Sequence, residues 1–175
     1  MGREPIKIED YEDYEIFKYS PSLFHLFGKY YPEKITLRRI IRFLLALPDG
    51  YGIYSLVKEG KALGYCTIQN GKSPRFDYTS EKDIVVGPYV IMPEYQGNGL
   101  AAKLIYRVLL TNKGKYEYAY AYIKKDNIAS IKTCEKLGFS FYKNAHVTSI
   151  KADVKATDDA DASHIIMRIR EGEAR

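Results

Sequence analysis

The spacing of apolar and polar positions changes several times along this chain, and the changes mark its elements. Residues 84–92 form an unbroken apolar, β-rich run, which predicts a buried strand that Pro93-Glu94-Tyr95 then stops. Beyond Gly97 and Gly99 the period becomes helical, with Leu100, Leu104, Ile105, Val108 and Leu109 on one side. Alternation predicts further strands at 14–19, 51–58, 62–69, 139–150 and 164–170, the second and third joined by a hairpin turn at Glu59-Gly60-Lys61. After Lys113-Gly114-Lys115, Tyr116, Tyr118, Tyr120 and Tyr122 alternate along one face of another strand. Two helices are expected near the start. One begins with Ser20 as N-cap and Pro21 in the first helical position and carries Leu23, Phe24, Leu26 and Phe27 as far as Tyr31. The other covers 35–47, with Leu37, Ile40, Ile41, Leu44 and Leu45 as its apolar stripe and Arg38, Arg39 and Arg42 on the wet side. A last helix is capped by Asp126 or Asn127 and ended by Gly138. Residues 73–82 and 151–163 are polar and read as loops, the latter with the acidic run Asp158-Asp159-Ala160-Asp161. Strands with helices interspersed indicate a mixed α/β sheet with helices on both faces, and without a repeat or a boundary residues 1–175 read as one domain.

The junction at Gly97 to Ala102 carries the first chemical implication. A strand, a tight glycine turn and a helix N-terminus in succession leave unpaired N–H groups at the positive end of the helix dipole, an anion site. Glycine lets that backbone curl at positive φ and lets a phosphate approach without meeting a Cβ. The sequence holds no G-x-x-x-x-G-K-[ST], which excludes a P-loop, and Q-G-N-G-L-A lacks the third glycine of a dinucleotide fingerprint. Gly87-Pro88 interrupts the preceding strand, and since proline cannot donate to a ladder, a bulge or splay is expected there.

Gln96-x-x-Gly99-x-Ala101, following V-I-M-P-E-Y and opening an amphipathic helix, resembles motif A of the GNAT superfamily of N-acetyltransferases. Ala121-Tyr122-Ile123-Lys124-Lys125-Asp126-Asn127 leading into I-A-S-I-K-T-C-E-K-L-G-F is similar to the family's motif B, and the resemblance spans residues 50–150. It implies a GNAT-like, mostly antiparallel sheet of about seven strands, splayed between the fourth and fifth with the pantetheine arm of acetyl-CoA between them. The main-chain amides near Tyr89, Val90 and Ile91 would then meet the pantetheine and the oxyanion. Those of Gln96, Gly97, Asn98, Gly99, Leu100, Ala101 and Ala102 would hold the pyrophosphate, with Lys103 and Arg107 adding charge, and Asn127 would contact the cofactor arm. Where many members carry a tyrosine as general acid this chain has Cys134. A thiol with a reference pKa of ~8.5 against ~10 for a phenol can protonate a thiolate, although Cys134 is also a natural small apolar filler on a helix. Tyr122 occupies the sheet position where some relatives place a base, with Tyr89 and Tyr142 as further candidates. The first two helices and the loop 73–82 are expected to build the acceptor pocket, with His25, Tyr30, Tyr31 and Arg38 as candidate lining residues for which surface placement is the alternative, and the many tyrosines suit stacking on an amino sugar or a nucleoside.

Composition narrows the partners. Hydrophobic content of 46% and charged content of 28% describe a globular domain. Lys+Arg 27 against Asp+Glu 22 gives a net charge of +5, but the basic residues form no run, which argues against nucleic acid and suits a polyanionic co-substrate. No apolar run approaches membrane-spanning length, the N-terminus is too polar for a signal peptide, and Gly2 lacks the hydroxyl residue a myristoylation site needs. Cys66 and Cys134 have no metal spacing and the three histidines are isolated, so no metal is expected and the default setting is the reducing cytoplasm. The expectation is an acetyl-CoA-dependent N-acetyltransferase acting on a primary amine of a small molecule or protein, as a monomer or homodimer. The rival is a GNAT-like domain that senses CoA without catalysis.

Overall fold

A computed structural model describes residues 4–148 and 152–175; Gly2 and the stretch Ser149, Ile150 and Lys151, where a strand was expected to end and a loop to begin, lie outside the described residues. Among the described residues the chain forms one sheet of nine strands: β1 (Ile6–Tyr11), β2 (Tyr14–Tyr19), β3 (Tyr51–Lys58), β4 (Lys61–Asn70), β5 (Ile84–Ile91), β6 (Tyr118–Lys124), β7 (Ser140–Val147), β8 (Val154–Thr157) and β9 (His164–Arg170). They lie in the order β1-β2-β3-β4-β5-β6-β9-β7-β8. Every neighbouring pair is antiparallel except β5 with β6. Three α-helices, α1 (Leu37–Ala46), α2 (Leu100–Thr111) and α3 (Ile128–Lys136), cover it.

Both faces are covered because strand alternation sends apolar side chains to both. On one face Tyr54, Leu56, Cys66 and Ile68 pack with Leu104, Ile105, Val108 and Leu109 of α2 and Cys134 of α3. On the other, Tyr19, Ile53 and Tyr65 pack with Phe43 of α1, and Phe76, Val85, Tyr120 and Ile166 continue that layer. None of the described helices is long and apolar enough to cross a membrane.

Several expectations need correction. The sheet has nine strands rather than about seven, so the splay falls between β5 and β6. One extra strand, β1, was hidden in a charged N-terminus: I-K-I-E-D-Y pairs with β2 while leaving Ile6 69% exposed. The other, β8, lies inside the stretch expected to be a loop, where buried Val154 pairs with Val147 of β7 and its amide donates to Arg75 O at 2.7 Å.

No helix runs from Ser20 to Tyr31. Ser22 and His25 exchange main-chain bonds at 2.9 and 3.0 Å in a turn, and Tyr19 donates its hydroxyl to His25 O at 2.7 Å. Gly28 lies flat on Tyr19, where an added Cβ would sit 2.7 Å from the ring, so tertiary packing overrides the local helical pattern. The helix at α1 is real, and Arg38 is exposed as expected, but most of the expected apolar stripe faces outward. Phe43 and Ala46 are buried, while Leu37, Ile41, Leu44 and Leu45 are exposed. Phe43 sets the orientation through its ring's contacts with Phe27 at 4.9 Å and Tyr51 at 5.1 Å. Tyr116 also leaves the expected tyrosine face, since it packs with the α2 layer and not with Tyr118, Tyr120 and Tyr122.

The splay positions everything that follows. β5 and β6 pair only at Ile84↔Ala119 and Val85↔Tyr120. Asp83 pins that root by accepting from Tyr118 N at 3.1 Å, and Glu117 N donates to Lys82 O at 2.7 Å. Past Val85 the strands part. The β4–β5 register shifts between Cys66 and Ile68, opposite Gly87 at φ +115°, as the glycine-proline step led us to expect.

Candidate active site

The free edge of β5 and the start of α2 enclose a groove of about 560 Å³, lined among others by Tyr89, Val90, Ile91, Gly97, Ala101 and Asn127. Its floor is main chain. Between Gln96 N, which donates to Pro93 O at 3.3 Å, and Lys103 N, which donates to Gly99 O at 3.1 Å, no amide from Gly97 to Ala102 finds a partner among the described residues. Gly97 at φ +84° and Gly99 at φ +71° shape this run, and a Cβ on either would project into open space. A row of unpaired amides at a helix N-terminus, with no side chain over it, fits a diphosphate. Gln96 braces the turn from behind, its Nε2 donating to Ile91 O at 2.8 Å. Asn98 folds back onto Tyr95 O and Gln96 O, so its side chain does not line the groove. Leu100 is buried beneath. Asn127 caps α3 by accepting from Ser130 N at 3.1 Å and also lines the groove.

On the other side of β5, beneath α1, lies a cavity of about 520 Å³. Tyr89, Val90, Asn127 and Ser130 line both spaces, so the two meet at the splay. Tyr89 stands at this junction. Its hydroxyl donates to Ser130 O at 3.2 Å and lies 3.6 Å from Cys134 Sγ. Burial, with Cys134 beside it, pushes the Tyr89 phenol above its ordinary value of 10.0, so it stays protonated. Cys134 is 1% exposed and lines neither space, and burial raises its thiol to about 11.

The cavity wall draws on residues distant in sequence. Tyr65, Thr67 and Gln69 follow one another along β4, Arg39, Arg42 and Phe43 descend from α1, and Arg75, Tyr122, Lys124 and His164 complete it. Glu33 supplies a carboxylate whose oxygens are already engaged: Tyr65 and Tyr31 donate to Oε2 and Arg39 to Oε1. His164 is paired with Lys124 across β6 and β9, and its Nδ1 lies 2.8 Å from Ser163 Oγ. Burial and then the Lys124 charge lower its pKa below the ordinary 6.5, so it is neutral near pH 7.

Tyr122 lines this cavity, and Tyr31 reaches its wall through Tyr65, 3.3 Å away. Other expected residues are used elsewhere. Tyr142 packs edge-to-face with Tyr120 at 5.7 Å and lies beneath Arg168 at 4.3 Å. Tyr30 packs on Phe17 at 4.5 Å, His25 is held in its turn, and Arg38 is exposed. Lys103 and Arg107 are tied to β1 and its turn by Glu12 at 2.7 Å and Glu9 at 2.8 Å. Arg75 belongs to the 73–82 loop expected at this pocket, whereas Glu33, Arg42 and His164 were not singled out as site residues, because each is an isolated polar residue until the sheet brings them together.

The sequence profile of the acetyltransferase (GNAT) family matches residues 14–139. The chain belongs to this family. That GNAT span carries the whole groove, whereas Ala152 and His164 of the cavity lie beyond it. No curated protein matches the chain in sequence. Solved structures share the GNAT fold at low identity. An acetyltransferase from Thermus thermophilus has a TM-score of 0.56 at 16% identity, over 79% of this chain and 77% of its own. An acetyltransferase from Salmonella typhimurium with its cofactor acetyl-CoA has 0.53 at 23%, over 75% and 69%. The microcin C7 self-immunity acetyltransferase in complex with acetyl-CoA and AMP has 0.54 at 15%, over 75% and 69%.

Proposed function

We propose that this GNAT protein is an N-acetyltransferase that uses acetyl-CoA to acetylate a primary amine of a small molecule by direct attack in a ternary complex. The observation that carries the proposal is the meeting of two spaces at one parted strand, a groove floored by free amides and a side-chain-lined cavity, with Tyr89 between them. The amides from Gly97 to Ala102 hold the diphosphate, and the unpaired edge of β5 near Val90 and Ile91 takes the pantetheine. Acetyl-CoA supplies the activated thioester carbonyl. The chain's own groups align the amine and move the protons.

His164, neutral at pH 7, removes the first proton from the substrate ammonium through water, and Tyr122 orients the amine beside it. The free amine then forms the C–N bond as the C–S bond breaks. Tyr89 donates its phenolic proton to the departing thiolate and recovers one from the new amide nitrogen. Of the two protons the ammonium gives up, one thus ends on the thiol and the other leaves through His164. A phenol whose pKa is raised is suited to this donor role, and Cys134 packs behind it rather than reaching the sulfur.

The test is release of free CoA thiol from acetyl-CoA with a panel of amines. Release should depend on the amine and should be accompanied by an acetylated product. Hydrolysis alone, or CoA binding with no turnover on any amine, contradicts the proposal. In the same assay kcat/KM should rise with pH through a pKa below 6.5, the ordinary value from which His164 is displaced. His164→Gln should abolish that acid limb and lower kcat roughly 100-fold; an unchanged limb removes His164 from the mechanism.

A further inference from the structure

The cation content of the cavity exceeds what the protein itself neutralises. Its wall holds three arginines, Arg39, Arg42 and Arg75, together with Lys124, against the single carboxylate of Glu33. Arg39 accounts for that carboxylate by pairing with Glu33. Neither Arg42 nor Arg75 has an ion-pair partner among the described residues. Arg75 donates to Gln69 Oε1 and to Ala152 O, both at 3.0 Å, so its position is fixed by neutral acceptors only.

Of five side-chain polar atoms buried with no hydrogen-bond partner among the described residues, three lie here: Arg42 Nε, Arg75 Nε and Tyr51 Oη. Burying an unpaired donor on an ionised group is costly, so orphans concentrated in one cavity point to an acceptor that arrives with a ligand. Two of them share one place in the sheet. Tyr51 pairs with Gln69 across β3 and β4, and Gln69 is the residue that holds Arg75. Burial also pushes the Tyr51 phenol up, so it remains a donor.

We infer that the amine acetylated by this protein also carries a compact oxyanion, a carboxylate or a phosphate, which Arg42, Arg75 and Tyr51 grip within the acceptor cavity. The inference deepens the proposed acetyl transfer and rests on it. Forked guanidinium groups and a phenol are the donor set that such an anion fills. The sheet also sets a scale. Tyr89 pairs with Cys66, and Gln69 lies three residues further along β4, which at the rise of a strand separates the two sites by about 10 Å. The acceptor therefore presents its amine at Tyr89 and its anion roughly 10 Å away. Phe43, Tyr65 and Tyr122 line the same cavity. Polyamines and other polycations are disfavoured by the same charges.

The experiment compares matched amines in the thiol-release assay: amino acids against their amides, and amino-sugar phosphates against the unphosphorylated sugars. The anionic member of at least one pair should have a kcat/KM at least 100-fold above its neutral analogue, and which pair responds separates carboxylate from phosphate. Arg42→Gln should raise KM for that acceptor at least tenfold, leave KM for acetyl-CoA where it was, and collapse the preference. Because the preference is a ratio within one protein, partial misfolding cancels from it; Arg75→Gln provides the second variant. Equal use of neutral or cationic amines, or a preference that survives both substitutions, overturns the inference while leaving acetyl transfer standing. If no amine turns over, the acetyl-transfer reading fails, and calorimetry still decides the anion site. Inorganic phosphate titrated into CoA-saturated protein should bind to wild type and not to Arg42→Gln, and absence of uptake by wild type overturns the inference.

Discussion

Gly99→Val should raise KM for acetyl-CoA roughly 100-fold, a loss of about 2.7 kcal/mol of binding, while the protein remains folded. Gly99 is the N-cap of α2 at φ +71°, and a Cβ there meets no protein atom within 4 Å. The strain of holding a β-branched residue in the left-handed region costs about 1–2 kcal/mol of stability. The larger effect comes from the groove, because the new side chain stands in front of the amides that no protein group occupies. Gly60→Val is the matched control. It lies at φ +75° with equally open surroundings, in the hairpin between β3 and β4 and away from both spaces. It should show a similar loss in thermal stability and an unchanged KM for acetyl-CoA. Equal KM values in the two variants would remove the diphosphate from this turn.

Tyr89→Phe should lower kcat by roughly 100-fold or more, with KM for acetyl-CoA little changed. The ring remains, so the packing at the splay is kept. The lost hydrogen bond to Ser130 O costs about 1 kcal/mol of stability. Cys134→Ala is the informative partner, since Cys134 was the residue that sequence similarity placed at the general-acid position. With its thiol 1% exposed and pushed up to about 11, Cys134 should act through the phenol 3.6 Å away. Its removal should cost a few-fold in kcat at most. A Cys134→Ala defect as large as that of Tyr89→Phe would return the proton-donor role to the thiol.

The donor half of this site was legible because it is local. A strand, two glycines and a helix lie within residues 84–111, and each contributes main-chain groups whose placement follows from backbone geometry alone. Gly87-Pro88 announced the splay for the same reason. The acceptor half was legible only in part: α1 and the 73–82 loop were expected there, but the walls supplied by β4 and the start of β9 come together only when the sheet forms. Arg42 shows how the pattern misled. Five leucines and isoleucines suggested that its helix turned away from it, whereas one aromatic residue, Phe43, wedged between Phe27 and Tyr51, rotated the helix and brought Arg42 to the cavity. Ser20 to Tyr31 misled similarly, since its helical spacing yields to Gly28 packing on Tyr19. Short β8 gave too few residues for alternation to register, and its pairing with β7 is fixed by buried Val154.

In the proposed function, unpaired main-chain amides at the parted strand and the following turn bind acetyl-CoA. The direct measurement is residue-resolved amide hydrogen exchange, with and without CoA. Protection should concentrate at Gly97 to Ala102 and at the free edge of β5 around Val90 and Ile91, with the distant β7–β8 edge unaffected. No protection at millimolar CoA, or protection confined to other parts of the sheet, would contradict it.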